Sequence, residues 1–356
     1  MLRWKRLAGL AAGSALAAAC AGDTGARVLS TEVASAELDV APASASDWRQ
    51  LASRGSGPTI VNASAYVARL EAVVAAFMPD YGAGELWGFS LKTNRWRRLR
   101  ADQWPQGKYR RLVHDPARRR LMTYWDGLGQ VYSIPDTGGT WSPDGAAGNQ
   151  DHYYEAYSFF NPLTQRLNVF GGYGLFTFKD QWWEWDGTNW SEPPSSVTRP
   201  EPRFGNGTSS VAVDSSRMRA YLGQRSLGTA PGNHDDLWGI DLRTGNWRKL
   251  IPATTDSTAR IMSALAFDTR TGRLYRFGGC APITDPGLCS APSNDLRVAL
   301  PSSASVSWKF VPETGPGPSA RYLSGLYVDA ARRRLILVSG HGVDGWQDDI
   351  WVRHLP

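Results

Sequence analysis

The sequence predicts an all-β protein of six repeated four-stranded sheets, and three observations support this fold class. A tryptophan heads the same short segment six times, at Trp48, Trp96, Trp141, Trp190, Trp247 and Trp308. Around each tryptophan, strand-like segments alternate with Gly, Asn and Asp turns, as hairpins require. The last repeat also lacks a fourth strand, and a matching segment stands near the start of the chain. Self-similarity at a period of roughly 50 residues indicates a β-propeller.

The first strand of each repeat is small or apolar and runs into a polar turn. Segments 263–267 and 325–328 are examples of this strand. The turns begin at Asp115, Asn161, Asp214, Asp268 and Asp329. Because such a side chain bonds its own backbone two residues on, we interpret these residues as turn formers rather than catalytic groups.

The second strand is rich in β-forming residues and ends in a glycine doublet in two repeats. The doublets are Gly171-Gly172 and Gly278-Gly279. The positions that depart from this pattern are Tyr124-Trp125, Gly223-Gln224 and Ser339-Gly340. A third strand with a bulky residue near its start follows, and a tight turn leads to the fourth strand with its tryptophan. This combination resembles the kelch repeat, over residues 48–356, and implies a six-bladed kelch-like propeller similar to the central domain of galactose oxidase.

The ends of the chain predict how the ring closes. Residues 351–356 form a third strand with no fourth strand after it, and residues 48–51 match the missing one. Pairing of these two segments leaves only short, protected sheet edges. We therefore expect an N-terminal strand to complete the last blade.

The first 19 residues resemble a bacterial lipoprotein signal peptide. Arg3, Lys5 and Arg6 precede an apolar run that is too short to span a bilayer, and Cys20 follows it. The resemblance implies a lipid on Cys20 and a place in the bacterial cell envelope, with Ala21 favouring the outer membrane, on its periplasmic or outer side. Cleavage of an ordinary secretory peptide nearby is the alternative.

Residues 20–46 are rich in Ala, Ser, Gly and Thr and bury too little surface to fold. We interpret them as a lipidated cysteine with a flexible tether, and residues 47–356 as the propeller.

The two remaining cysteines, Cys280 and Cys289, lie in one loop of the fifth repeat. An even pair in an exported protein predicts a disulfide. A pair of metal ligands is the alternative, but no histidine lies near them in the sequence. We expect neither a bound metal nor another cofactor.

The charge of the chain does not indicate a nucleic-acid partner. The formal net charge of +6 includes Arg3, Lys5 and Arg6 of the signal, so the mature chain has a surplus of three positive charges. Its basic residues are spread over turns rather than gathered in one patch. We expect a monomer that reaches the membrane through its lipid alone.

The connections between strands divide between two faces of the ring. First-to-second and third-to-fourth connections are short and share one face, the short-turn face. Second-to-third and blade-to-blade connections are long and share the other, the long-loop face. Binding residues concentrate on variable loops carried by a rigid scaffold. We therefore predict a site on the long-loop face, around the end of the central channel.

Arginines stand just before several of the innermost strands. Arg203, Arg260 and Arg321 occupy this position, and Arg110 has a comparable one. Guanidinium groups at one channel end suit a carboxylate or phosphate, which they bind with two parallel hydrogen bonds. In the alternative, which the kelch resemblance implies, these arginines tie neighbouring blades together.

Other candidate ligand-binding residues are polar or aromatic. The third repeat replaces the arginine pattern with residues that include His152 and Glu155. Aromatic side chains stack on sugar rings or form the centre of protein interfaces. The candidates on the long-loop face are four aromatic residues and one histidine: Tyr124, Trp125, Tyr173, Trp346 and His341.

Three classes of function fit this sequence. The first, which we favour, is a lipid-anchored module that binds a protein or a glycan through the long-loop face. The second is a periplasmic enzyme acting on an acidic sugar, since some kelch-like proteins resemble sialic-acid mutarotases. The third is a structural part of an envelope complex. Copper oxidases among the kelch-like enzymes need a tyrosine crosslinked to a cysteine and paired His ligands. We set this branch aside because both spare cysteines lie in one loop. No other catalytic motif appears in the sequence.

Overall fold

The computed structural model describes residues 48–356, with gaps at 54–55, 59, 78–83, 100–110, 125–128, 146–154, 175–176, 204, 206–208, 226–233, 253–259, 282–288, 290 and 304–305. The predicted signal peptide, Cys20 and the tether of residues 20–46 lie outside the described residues. Within the described ranges, no helix has the length and apolar character needed to cross a membrane.

Six four-stranded antiparallel sheets form the blades of a β-propeller, as predicted. The first strand, β1 (Trp48–Ala52), belongs to the last blade. Blade 1 contains β2 (Ala63–Val67), a short 3-10 helix (Ala68–Leu70), β3 (Ala72–Phe77), β4 (Glu85–Ser90) and β5 (Arg95–Arg98). Blade 2 contains β6 (Val113–Asp115), β7 (Arg120–Tyr124), β8 (Val131–Pro135) and β9 (Ser142–Asp144).

Blade 3 carries an extra hairpin between its second and third blade strands. It contains β10 (Tyr157–Asn161), β11 (Arg166–Phe170), the hairpin of β12 (Tyr173–Gly174) and β13 (Thr177–Phe178), then β14 (Trp182–Trp185) and β15 (Trp190–Ser191). Blade 4 contains β16 (Val211–Asp214), β17 (Arg219–Arg225), β18 (His234–Asp241) and β19 (Asn246–Ile251).

Blades 5 and 6 complete the ring. Blade 5 contains β20 (Ala264–Asp268), β21 (Arg273–Phe277), β22 (Leu296–Ala299) and β23 (Lys309–Phe310). Blade 6 contains β24 (Gly325–Asp329), β25 (Arg334–Gly342) and β26 (Gly345–His354). The innermost strands β2, β6, β10, β16, β20 and β24 contact one another in that order, and β24 also contacts β2.

The N-terminal strand closes the ring. β1 pairs antiparallel with β26, with Trp48 opposite Arg353 and Gln50 opposite Trp351. The prediction that this strand completes the last blade is confirmed.

The repeated tryptophan of each blade packs against the blade before it. Trp48 of blade 6 contacts Phe277 of blade 5, with 5.6 Å between the ring centroids. Trp247 of blade 4 lies 4.8 Å from the ring of Phe170 in blade 3. The other four occupy the corresponding hydrophobic clusters between blades. Because these rings bury large apolar surfaces, the spacing of the tryptophans follows the spacing of the blade interfaces.

The turns after the innermost strands form as predicted. Asn161 accepts a hydrogen bond from the backbone N–H of Leu163 at 2.9 Å, and Asp214 accepts one from Ser216 at 3.0 Å. Asp115, Asp268 and Asp329 bond their own turns in the same way. These side chains are therefore occupied within the fold.

The glycine doublets let neighbouring blades approach closely. Gly171 and Gly278 have φ of +67° and +64°, and a Cβ atom on either would lie 2.4 Å from a backbone carbonyl of the next blade. Only glycine adopts this conformation without cost and leaves this space.

Cys280 and Cys289 form a disulfide, which confirms that prediction, with 5.7 Å between their Cα atoms. Cys280 is buried and makes isolated β-bridges to Ile261 and Pro292. The bond therefore joins the loop of blade 5 to a position fixed by the core.

Candidate functional site

The innermost strands of all six blades line a central channel. They surround a cavity of about 370 Å³. Each innermost strand begins at the long-loop face and ends at a short turn, so the channel runs between the two faces. The candidate residues on the long-loop face are placed relative to this channel below.

Arg203 is fully buried, with 0% of its surface exposed. Its guanidinium donates hydrogen bonds to both carboxylate oxygens of Asp236, at 2.9 and 3.0 Å, and to Glu201 at 2.9 Å. Its backbone carbonyl accepts a hydrogen bond from the amide of Gly172 in blade 3. Arg203 therefore joins blade 3 to blade 4.

Arg321 repeats this arrangement between blades 5 and 6. Its backbone carbonyl accepts a hydrogen bond from the amide of Gly279, and its guanidinium binds both carboxylate oxygens of Asp349. The remaining N–H groups donate to Ser319 and to the carbonyl of Ser339. All five donors of this guanidinium are used within the protein.

The predicted Arg260 differs from Arg203 and Arg321. The side chain of Arg260 is 16% exposed, and its Nη2 atom lies 3.9 Å from Asp295. Arg110 lies outside the described residues. Arg203 and Arg321 are held in separate blades by separate carboxylates, which supports their structural role. Binding of an acidic ligand by these arginines stays a prediction.

The sequence patterns did not predict the buried ion pair that joins blades 4 and 5. Arg276 in β21 pairs with Asp235, and both side chains are almost fully buried. Successive side chains of a strand point to opposite faces, so Asp235 bonds Arg276 of blade 5 while Asp236 bonds Arg203. The sequence signal for this ion pair is the two adjacent acids, Asp235 and Asp236, near the start of β18. When both are buried, each needs a cationic partner.

An aromatic cluster of Tyr322, His341 and Trp346 lies on the long-loop face of blade 6. The imidazole centroid of His341 is 5.1 Å from the ring of Tyr322 and 5.3 Å from that of Trp346. Backbone hydrogen bonds of 2.8 and 3.0 Å between His341 and Tyr322 fix the first pair. All three side chains are half-buried, and the hairpin tip beside them is open, with Val343 77% exposed. Tyr322 was not predicted, although it directly follows Arg321.

The Nδ1 atom of His341 gives this cluster a polar group. It is buried and has no hydrogen-bond partner within the described part of the chain. Buried polar atoms normally have partners, so this nitrogen is an unsatisfied polar group within the described part of the chain.

The hairpin of blade 3 presents a second aromatic pair on the same face. Tyr173 is 37% exposed, and its ring lies 5.2 Å from that of Phe178 on the opposite strand. Tyr124, in contrast, is a core residue, 4% exposed, whose hydroxyl lies 3.0 Å from the Ser158 hydroxyl. Trp125 lies outside the described residues.

Glu155 lies just before β10 on the long-loop face and is half-buried. Burial raises the pKa of its carboxyl, whereas the positive charge of Arg111 acts in the opposite direction. Arg111 is buried and donates a hydrogen bond to the carbonyl of Gly205, whose amide donates to the carbonyl of Glu155. The predicted His152 lies outside the described residues. Arg111, the neighbour of the predicted Arg110, completes this group.

The described residues include no group of three His, Cys, Asp or Glu side chains placed to hold a metal ion. The features of the described long-loop face that suit a ligand are the aromatic rings around His341 and the Glu155 carboxyl, whose pKa is raised.

The comparisons with known proteins show the fold and no more. No family model matches the sequence, and no curated protein does. The fold is similar to that of a solved structure titled "Structure of YjhT", with a TM-score of 0.62 over 85% of this chain and 99% of that chain. The sequence identity is 13%, so this likeness supports the propeller alone. A propeller fits either a binding module or an enzyme; the kelch and lipoprotein types stay predictions.

Proposed function

We propose that this protein is a lipid-anchored binding module of the cell envelope that recognises a glycan or a protein through its long-loop face. The observation that carries the proposal is the aromatic cluster, in which His341 and Trp346 of the β25–β26 hairpin lie beside Tyr322, which precedes β24. β25 and β26 run to Gly342 and from Gly345, past the part of blade 6 that pairs with β1. The cluster is thus additional to what ring closure requires.

The chemistry of the cluster suits a ring with polar edges. The half-buried Tyr and Trp rings offer an apolar face for stacking, and the half-buried imidazole of His341 lies beside them as a polar group. A sugar ring combines an apolar face with hydroxyl groups, and a Tyr or Trp side chain of a partner protein has the same combination. The cluster therefore suits a glycan and a partner protein equally.

The size of the face allows contacts at two separated points. The Tyr173–Phe178 pair belongs to blade 3, and the aromatic cluster belongs to blade 6. These blades stand three positions apart in a ring of six, on opposite sides of the channel. An oligosaccharide or a protein surface is long enough to engage both.

A thermal-shift screen of the full chain with Cys20→Ser tests this proposal. The panel contains neutral oligosaccharides, sialic and uronic acids and peptidoglycan fragments. A ligand at about 100 times its dissociation constant adds roughly 2.7 kcal/mol of stability. We expect Trp346→Ala to abolish the shift and Phe310→Ala to leave it intact, because Phe310 is an exposed aromatic (51%) on the outer strand of blade 5. A shift that survives Trp346→Ala would refute the role of the cluster.

An enzyme acting on an acidic sugar, of mutarotase or epimerase type, is the second candidate, and Glu155 favours it. A general acid or base works best with a pKa near the operating pH, and burial moves the pKa of this carboxyl in that direction. Interconversion of sialic-acid anomers, followed by NMR, tests this candidate. Activity that falls in Glu155→Gln but not in Glu192→Gln, an exposed carboxyl, would support it.

A structural role in an envelope complex is the third candidate. It predicts a stoichiometric partner in pull-downs from membranes, together with a flat ligand screen.

A further inference from the structure

Two described residues of the segment before the innermost strand of blade 4, Gly205 and Ser209, bond to other blades at the long-loop end of the central channel. At one side, the amide of Gly205 donates a 2.6 Å hydrogen bond to the carbonyl of Glu155, at the start of blade 3. The carbonyl of Gly205 accepts a hydrogen bond from Arg111, at the start of blade 2. This side of the segment is therefore attached to two blades that precede it.

Ser209 attaches the same segment to the two blades that follow. Its carbonyl accepts a 2.7 Å hydrogen bond from the amide of Leu265 in the innermost strand of blade 5. Its hydroxyl accepts a 3.0 Å hydrogen bond from the amide of Leu326 in the innermost strand of blade 6, 117 residues along the chain. Since blade 6 does not adjoin blade 4, Ser209 reaches across the channel.

Ser209 lies in the cavity wall at the long-loop end of the channel. Gly205 and Ser209 bond to four blades other than their own. At the opposite end the wall consists of short-turn residues, Pro116, Pro162 and Ser215. Ser215 is exposed to solvent. The described part of the wall is therefore exposed to solvent at the short-turn face.

The wall of the cavity is largely aromatic and aliphatic. Tyr66, Phe160, Phe267 and Tyr327 bring rings from four different blades. Val213 adds an aliphatic side chain from a fifth blade and is half-buried. Rings and branched side chains of this kind favour a flat apolar ligand, because burial of its faces removes apolar surface from water.

The hydroxyl groups of the wall already have partners. The Tyr327 hydroxyl lies 2.8 Å from that of Ser64, and the Ser158 hydroxyl lies 3.0 Å from that of Tyr124. Burial raises the pKa of the Tyr66 hydroxyl, and the negative charge of Asp329 raises it further, so this hydroxyl stays protonated. A charged ligand would lose its water here without gaining an opposite charge.

His114 is the imidazole of the wall, and it carries no charge at neutral pH. Burial lowers its pKa, although Asp136, 3.2 Å from its Nε2 atom, acts in the opposite direction. Asp136 is also bound by Arg69 of blade 1, so its charge is already balanced. His114 is thus a neutral polar group beside the apolar rings.

We propose that the central channel is a second binding site, entered from the short-turn face, for a small uncharged molecule with a flat aromatic or similarly apolar ring. The volume of about 370 Å³ lies within the range of known small-molecule sites, roughly 300–1,000 Å³. This site is separate from the aromatic cluster on the long-loop face and does not depend on the function proposed for it.

Fluorescence titration of the full chain with 2-naphthol, a neutral fluorescent ring compound, tests the proposal. We expect saturable binding, and we expect the charged analogue 2-naphthoate to bind at least about tenfold more weakly. Val213→Trp fills the cavity, and Ser215→Trp covers its entrance from an exposed position where folding is not disturbed. Each should weaken the binding of 2-naphthol by about tenfold or more.

Trp346→Ala separates the two sites, since it alters the aromatic cluster and leaves the channel intact. It should not change the affinity for 2-naphthol. The proposal is overturned by an absence of saturable binding up to about 1 mM. It is also overturned by unchanged affinity in Ser215→Trp with a native melting temperature, or by loss of binding in Trp346→Ala.

Discussion

The backbone carbonyl of Arg203 accepts a hydrogen bond from the amide of Gly172 in blade 3 at 2.7 Å, while the side chain of Arg203 binds Asp236 in blade 4. Arg321 and Gly279 form the same bond at 2.9 Å two blades further on. A glycine doublet and an arginine thus act together: the doublet opens a space for the backbone of the next blade, and the arginine fixes that backbone to its own sheet.

Loss of either arginine should destabilise the ring strongly. Arg203→Ala leaves the buried carboxylate of Asp236 without its cation, and breaking such a pair costs about 3–5 kcal/mol. Urea unfolding measures this loss. The control is Arg98→Ala, which removes an exposed pair with Glu85 and should cost less than about 1 kcal/mol. Equal effects of the two substitutions would contradict the assigned role.

The doublet glycines should tolerate substitution worse than other glycines of positive φ. A Cβ atom on Gly278 would lie 2.4 Å from the carbonyl oxygen of Arg321, whereas Gly187 has φ of +105° and nothing within 4 Å. Gly187→Ala should therefore cost only the conformational strain, about 1–2 kcal/mol. Gly278→Ala should cost clearly more, because the two blades must separate. Thermal melting of the two variants compares them, and a smaller loss for Gly278→Ala would refute this explanation.

The sequence was sufficient for features that repeat and insufficient for those that do not. The tryptophan spacing predicts the six blades because each ring fills one blade interface, and the strand at Trp48 predicts closure because a sheet needs its fourth strand. The bond from Leu326 to Ser209 joins residues 117 positions apart and has no counterpart in another repeat among the residues that the structure describes. No local pattern encodes such a contact. Likewise, the buried pairing of Asp236 with Arg203 is set by packing between elements.

Trp48 should contribute more to stability than any other residue of its strand. Its side chain is 3% exposed, packs on Phe277, and donates a 2.7 Å hydrogen bond to Glu313. Trp48→Ala should cost about 3–5 kcal/mol, the usual range for a large buried ring. Arg49→Ala, an exposed substitution on the same strand, should be nearly neutral. If chemical unfolding shows similar midpoints for both variants, β1 does not close the ring in the way described.

Glu155 should lower the stability of the protein as the pH rises. Because burial raises the pKa of this carboxyl in the folded state, the folded protein holds the proton more tightly than the unfolded chain does. The contribution of this carboxyl to the free energy of unfolding is therefore fully present below its pKa in the unfolded chain, about 4.3. It is lost as the pH rises through its pKa in the folded protein. Glu155→Gln removes the ionisable group and with it this loss.

The test is the stability difference between Glu155→Gln and the wild type, measured by urea unfolding at about pH 4 and about pH 8. We expect the difference to shift in favour of Glu155→Gln at the higher pH, where the wild type must bury a carboxylate near Arg111. Glu192→Gln, at an exposed position, should show no such shift. If the difference moves in favour of the wild type as the pH rises, Arg111 outweighs burial, and Glu155 forms an ion pair rather than an acid of raised pKa.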